Sequence, residues 1–299
     1  MAVATPQMEG SEILEQELEN PIITILRRYG RHRLAVVSTI VLSIIILMSV
    51  FAPWITSHNP TFNNPPAKNL PPSWEHLMGT DYIGRDVFSR IIHAGRVSLG
   101  IAFITVLFSD FLGIVIGVVS GYFGGWVDSL IMRIVDFMLT LPLLPILLVL
   151  ITIFSPSIGL LITVLVLTGW TGSARLIRGQ ILSIREREFV EASRALAASK
   201  ARIMFRHMVP NALAPIIVNV TLNLSGIIIL EAALSYLGFG VQPPQASWGN
   251  MLQNANSLTV LERYSWQAFF PGLAIFLTSL CFNFMGDGLR DALDPRMKL

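Results

Sequence analysis

From Leu34 to Ile55 the chain runs 22 residues without one Asp, Glu, Lys or Arg. A helix needs about 20 apolar residues to cross the roughly 30 Å hydrocarbon core of a bilayer, so this run alone is long enough. Five further windows approach that length: Leu99 to Tyr122, Leu130 to Phe154, Ile158 to Leu176, Ala212 to Tyr236 and Trp266 to Met285. Strands of a membrane barrel alternate inward and outward residues over about ten positions, whereas Val36 to Val50 is apolar nearly all round. Backbone amides in hydrocarbon must be paired within their own segment, which leaves helices. The expected fold class is an all-α integral membrane protein with about six transmembrane helices.

Composition agrees. Hydrophobic residues make up 53% of the 299 and charged residues 13%, about half the charge of a soluble domain. A soluble enzyme is therefore the wrong class. The single cysteine, Cys281, excludes an internal disulfide and any multi-cysteine metal motif. The histidines, His32, His58, His76, His93 and His207, show no ligand spacing along the sequence, so no metal site is expected. A net charge of +2 supports no case for nucleic acid.

Orientation follows from the cations, because positive charge is retained on the cytoplasmic side of short loops. With the N-terminus inside, 16 of the 21 Lys and Arg residues fall on inner segments and five, Lys68, Arg85, Arg90, Arg96 and Arg263, on outer ones. Both termini are expected in the cytoplasm. Residues 1–33 read as a cytoplasmic tail in which Ile13, Leu14, Leu18, Ile22, Ile25 and Leu26 could line an amphipathic helix. Residues 34–55 are the first span, and the basic flank behind an acidic tail marks it as no cleaved signal. Residues 56–96 form an outer segment, 97–287 the membrane core and 288–299 a cytoplasmic tail.

In the outer segment, Asn59-Pro60, Pro65-Pro66 and Pro71-Pro72 favour extended or turn structure. The run from Gly79 to Arg90 then predicts a short helix lying at the outer interface, as a solvated cap or a partner contact. Trp248, in the second outer loop, suits an interfacial belt or a partner surface. On the inner side, alanines and charges from Arg185 to Arg202 favour a helix, with Pro210 marking the boundary before the fifth span. It is either a solvated connector or a docking helix in which Ala192 and Ser193 permit close approach.

Glu191-Ala192-Ser193, Ala197 after three intervening residues, and then Val209-Pro210 resemble the EAA signature of permease subunits of ATP-binding-cassette importers. Two positions depart from that pattern: the family usually has glycine where Ala197 stands and isoleucine near His207. Three more stretches are similar to permeases for dipeptides, oligopeptides and nickel. They are Gly79-Thr80-Asp81 to Arg85-Asp86, Glu231-Ala232-Ala233-Leu234-Ser235 to Gly238, and Gly286-Asp287-Gly288-Leu289-Arg290-Asp291 to Asp294-Pro295. The resemblance implies a type I importer permease in a bacterial or archaeal cytoplasmic membrane. Its implied partners are a second, different permease, two cytoplasmic ATPases and an extracytoplasmic binding protein.

It also implies a coupling helix near 190–206, with Glu191, Ala192, Ser193, Ala197 and Pro210 as its contact to the ATPase, and short peptides as the first candidate cargo. The chain has no Gly-x-x-x-x-Gly-Lys-Ser/Thr loop, so ATP and Mg are expected on the partner ATPases, with no catalytic residue or cofactor in this chain.

Asp110, Asp136 and Glu231 fall in or near spans, where an ionisable group is costly. Asp110 could line the translocation path or bond to another helix. Asp136 is expected to pair with Arg133 one helical turn away. Glu231 could be architectural or serve gating. A rival class, a secondary transporter driven by an ion gradient, would use Asp110 and Glu231 as coupling carboxylates; the same architecture could also import nickel or another small solute. Gly113, Gly117 and Gly121 recur every fourth residue and predict close helix packing, and Pro142, Pro145 and Pro215 are candidate kinks.

Overall fold

The structure, a computed structural model, describes residues 21–293 apart from Ser155, Asn254 and Asn256. Among these residues it is all-α, without a strand. The principal helices are α1 (Pro21–Arg31), α2 (Arg33–Val50), α3 (Val87–Phe123), α4 (Gly125–Thr140), α5 (Leu143–Ile153) and α6 (Ile158–Arg185). There follow α7 (Glu188–Ala195), α8 (Leu213–Tyr236), α9 (Trp248–Gln253), α10 (Leu258–Arg263) and α11 (Trp266–Leu293). Among the described residues five helices are long and apolar enough to cross a bilayer, or six if the bent pair α4 and α5 counts as one.

Periodicity shows how the spans meet lipid. On α2, Leu34, Val37, Ile40, Ile44 and Leu47 are all at least half exposed, while Ala35, Ser38, Leu42 and Ser49 on the other face are buried. Association in lipid has no hydrophobic driving force, so small and polar residues at contacts carry it. The face of α3 with Gly113, Gly117 and Gly121 shows this. A Cβ at Gly117 would stand 2.5 Å from the Ala174 carbonyl oxygen, and one at Gly121 2.8 Å from an Ile181 methyl. Close packing of α3 on α6 is thus as expected. At Gly288 of α11 a Cβ would lie 2.3 Å from Ala35, which brings α11 against the start of α2.

Several boundaries differ from those expected. The second span is longer than Leu99 to Tyr122, because residues 79–86 are not helical and Asp86 starts α3 by accepting the Ser89 N–H at 2.7 Å. α3 then runs 37 residues, about 55 Å. The expected interfacial helix is instead a buried knot. Thr80, Asp81, Arg85, Asp86 and Arg90 are all at most 7% exposed, so the segment is neither a solvated cap nor a free partner surface. The third span is broken at Leu141-Pro142, where the axes turn by 87°. Pro142 caps α5 rather than kinking a continuous helix. Pro215 lies in the first turn of α8, where a missing amide costs little. Sequence reasoning passed over Pro271, which sits inside α11. In the N-terminal tail, residues from Pro21 onward are helical; Ile13, Leu14 and Leu18, like Asp294-Pro295, lie outside the described residues.

Candidate functional site

The connection from α6 to α8 is not the single helix expected from Glu191 to Arg206. α7 opens with Glu188 and Glu191, whose charge suits a helix N-terminus, and carries Arg194 near its end. Ala197 then takes a left-handed conformation at φ +54°. The Ala197 N–H donates to the Arg194 carbonyl at 2.9 Å and the Ala198 N–H to that of Ser193 at 3.1 Å, a Schellman closure. The chain restarts at Lys200–Arg202, widens into a π-helical turn over Ile203–Met208, and passes through Val209–Asn211 into α8. Alanine-rich composition favoured one helix, but burial on both sides of the break decided otherwise. Val190 is buried before it and Ile203, Met204 and Met208 after it, all against Val118, Ile177, Ile181 and Ile184.

This seating fixes what faces outward. Glu191, Ala192, Ala197 and Pro210 are exposed, and Leu196 projects with 83% of its surface free. Ser193 turns inward to donate to the Phe189 carbonyl at 2.8 Å. Arg194 stands over the Tyr122 ring at 5.8 Å and Lys200 over the Phe123 ring at 5.3 Å, which pins the segment to the end of α3. The result is a rigidly backed knob. Sequence reasoning named its small residues and missed Leu196, whose signal was an apolar side chain beside the turn.

A second constellation joins three spans. Asp110 of α3 is 3% exposed. Its Oδ1 accepts from the Ser173 hydroxyl of α6 and, at 2.8 Å, from Asn223 Nδ2 of α8. Asn219 Nδ2 donates to Ser173 Oγ at 2.9 Å. Asn219 also lines an open cavity of about 540 Å³ between α6, α8 and α11, with Gln180, Arg290 and the apolar Leu176, Pro215 and Leu222. Asp110 therefore stands one hydrogen-bonded layer behind the cavity wall.

Glu231 is elsewhere and fully buried. Its Oε2 accepts from Ser98 at 3.0 Å and its Oε1 from Ser235 at 2.7 Å. These hydroxyls in turn accept backbone N–H groups, Ser98 from Trp248 at 3.2 Å and Ser235 from Val241 at 3.1 Å. Glu231 thus ties the loop before α9 to α3 and α8. Trp248, expected at an interface, is 1% exposed and donates its indole N–H to the Ile91 carbonyl at 3.0 Å.

Two ion pairs brace α6 against α4. Asp136 meets Arg175 of α6, not Arg133, because α6 lies alongside α4 and the Arg175 guanidinium reaches the carboxylate. Arg178 grips Asp128 through both carboxylate oxygens, and Ser120 donates to the same carboxylate at 2.5 Å. In the 56–86 knot, Asp81 accepts the Ile83 and Arg85 N–H groups at 3.0 and 2.9 Å and the Arg85 Nε at 2.6 Å. Thr80 presents its carbonyl to Trp266 Nε1 and Gln267 Nε2, both at 3.1 Å.

The sequence model of the family described as binding-protein-dependent transport system inner membrane component matches residues 113–299. The chain belongs to this family. A second model, the N-terminal transmembrane domain of oligopeptide transport permease C, matches residues 20–72. A putative peptide permease protein of Brucella suis is 43% identical over 279 residues, covering 93% of this chain and 92% of the relative. A dipeptide transport system permease protein of Bacillus subtilis is 39% identical over 272 residues, 91% of this chain and 85% of its own length. An oligopeptide transport system permease protein from the same organism is 39% identical over 271 residues, 91% and 88% of the two chains. The protein is a multi-pass membrane permease.

Proposed function

We propose that this permease imports short peptides across a bacterial or archaeal inner membrane, driven by cytoplasmic ATPases that dock on the α7 knob. The observation that carries the reading is the knob itself: Glu191, Ala192 and Leu196 face outward while Val190, Ile203 and Met204 are locked into the ends of α3 and α6. A push on such a surface is transmitted to α3 and α6 rather than absorbed by a loose loop. With α7 in the cytoplasm, both termini are cytoplasmic as well.

The peptide assignment rests on the relatives, which include a dipeptide and an oligopeptide transport permease. The cavity between α6, α8 and α11 suits it: a mainly apolar wall with Gln180, Asn219 and Arg290 offers amide partners and one cation to a peptide chain. A second, different permease would close the open side, and an extracytoplasmic binding protein would deliver the peptide. The ion-gradient alternative would need Glu231 on a path, but its carboxylate is enclosed by the hydroxyls of Ser98 and Ser235.

Reconstitution tests the reading. The complex purified with its ATPases and second permease, supplied with its binding protein and a labelled dipeptide or tripeptide mixture, should accumulate label in liposomes only when ATP is present on the α7 side. Uptake by this chain alone under an ion gradient, without ATP, would overturn it.

A further inference from the structure

His58, His76 and Asp86 are scattered in the sequence, but the fold gathers them. One ring nitrogen from each histidine and one carboxylate oxygen of Asp86 lie within 4.8 Å of one another. The two imidazole rings stack with centroids 4.8 Å apart and planes tilted by 40°. His76 Nδ1 is 2.9 Å from Asp86 Oδ2, while Asp86 Oδ1 holds the Ser89 N–H at 2.7 Å, so the start of α3 sets the carboxylate's orientation. His76 and Asp86 are 6% and 4% exposed, and His58 is only half-buried, which leaves a way in from solvent. Arg85 and Arg90, the nearest cations in sequence, are engaged by Asp81.

We propose that His58, His76 and Asp86 bind a divalent first-row metal ion, with zinc the best fit, that clasps the end of the first span to the start of α3. Two imidazoles and a carboxylate are donors that zinc takes in threes, leaving a fourth position for water. Calcium or magnesium would need several more oxygen ligands than the cluster offers. Bonds of about 2.0–2.2 Å at tetrahedral angles set donors about 3.3–3.6 Å apart, so a donor gap of up to 4.8 Å closes by about 1.2–1.5 Å around the ion while His76 and Asp86, 2.9 Å apart, open by about 0.5 Å. Each ligating nitrogen must be unprotonated, so a neutral imidazole carries its one proton on the other ring nitrogen, and only an imidazolium would release a proton to solvent as zinc enters. His58 follows the short helical turn Ala52–Ile55 at the end of α2, so the ion spans two elements whose chain connection is rich in proline.

The test uses the full-length chain in mild detergent, stripped with chelator and dialysed, then titrated with zinc chloride and separately with cobalt(II) as a spectroscopic probe. The folded wild type should retain one equivalent of zinc, give the visible absorption of four-coordinate cobalt(II), and unfold at a higher temperature with zinc than without. His58→Gln, at a half-buried position that tolerates the change, should bind zinc at least about tenfold more weakly and lose the cobalt band. His207→Gln, outside the cluster, should behave as wild type. Folded wild type that retains no zinc, or His58→Gln that retains it undiminished, would overturn the site.

Discussion

The backbone N–H of Ala198 donates to the Ser193 carbonyl at 3.1 Å, wrapping the chain around Ala197 and ending α7 where its composition would have continued it. Everything outward-facing on the knob depends on this closure, because it turns Leu196 away from the buried Val190 and Ile203.

An alanine in the left-handed region carries a cost of about 1–2 kcal/mol that glycine escapes. Ala197→Gly should therefore raise stability by about 1 kcal/mol, after the extra unfolded-state entropy of glycine is deducted. Ala197→Val should lower it. Denaturant unfolding of the purified chain reads both, and a destabilised Ala197→Gly would contradict the φ of +54°.

Gly117 and Gly172 make a matched pair. A Cβ at Gly117 meets the Ala174 carbonyl oxygen at 2.5 Å, whereas one at Gly172 meets nothing within 4 Å. Gly117→Ala should cost about 1–3 kcal/mol by forcing α3 from α6. Gly172→Ala should be neutral or slightly stabilising. Equal effects of the two, measured by thermal unfolding, would remove the close-packing argument.

Glu231 separates an architectural role from one on the path. Glu231→Ala leaves the Ser98 and Ser235 hydroxyls without their acceptor and should cost about 1–3 kcal/mol. Uptake should fall only as far as the folded fraction falls. A Glu231→Gln variant with wild-type stability but abolished peptide uptake would instead place the carboxylate in transport.

Asp110 and Asn219 are expected to divide in the same way. Asn219 lines the cavity and Asp110 supports it from behind through Ser173. Asp110→Asn keeps an acceptor toward Ser173 and should leave uptake within about twofold, while Asn219→Leu should lower it about fivefold, the worth of one hydrogen bond of about 1 kcal/mol. Initial rates of labelled peptide uptake decide between them; the reverse ranking would put the charge of Asp110 on the path.

Spans were legible in the sequence because a bilayer imposes one length and one polarity on every crossing, and Leu34 to Ile55 satisfies both without help from the rest of the chain. The contact of α3 with α6 was legible too, since Gly113, Gly117 and Gly121 carry a helical period. What depended on distant residues was not. Asp136 has Arg133 one turn away but meets Arg175, and Trp248 is closed in by Ile91 from more than 150 residues earlier. Likewise the break at Ala197 arises from burial of Val190 and Ile203 together, which no local propensity records. The histidine pair His58 and His76 is separated by a stretch rich in proline, and only the folded knot stacks the two rings.

Docking on the knob can be read directly by cross-linking. Cys281 is the sole cysteine and is buried, so Cys281→Ser provides a background for single cysteines. Leu196→Cys in that background, with a cysteine in the ATPase cleft, should give a disulfide-linked permease–ATPase species in the assembled complex. Leu258→Cys, exposed on α10 near the opposite end of the bundle, should give none. Absence of any link from Leu196→Cys in a complex that still transports peptide with ATP would contradict the coupling role of α7.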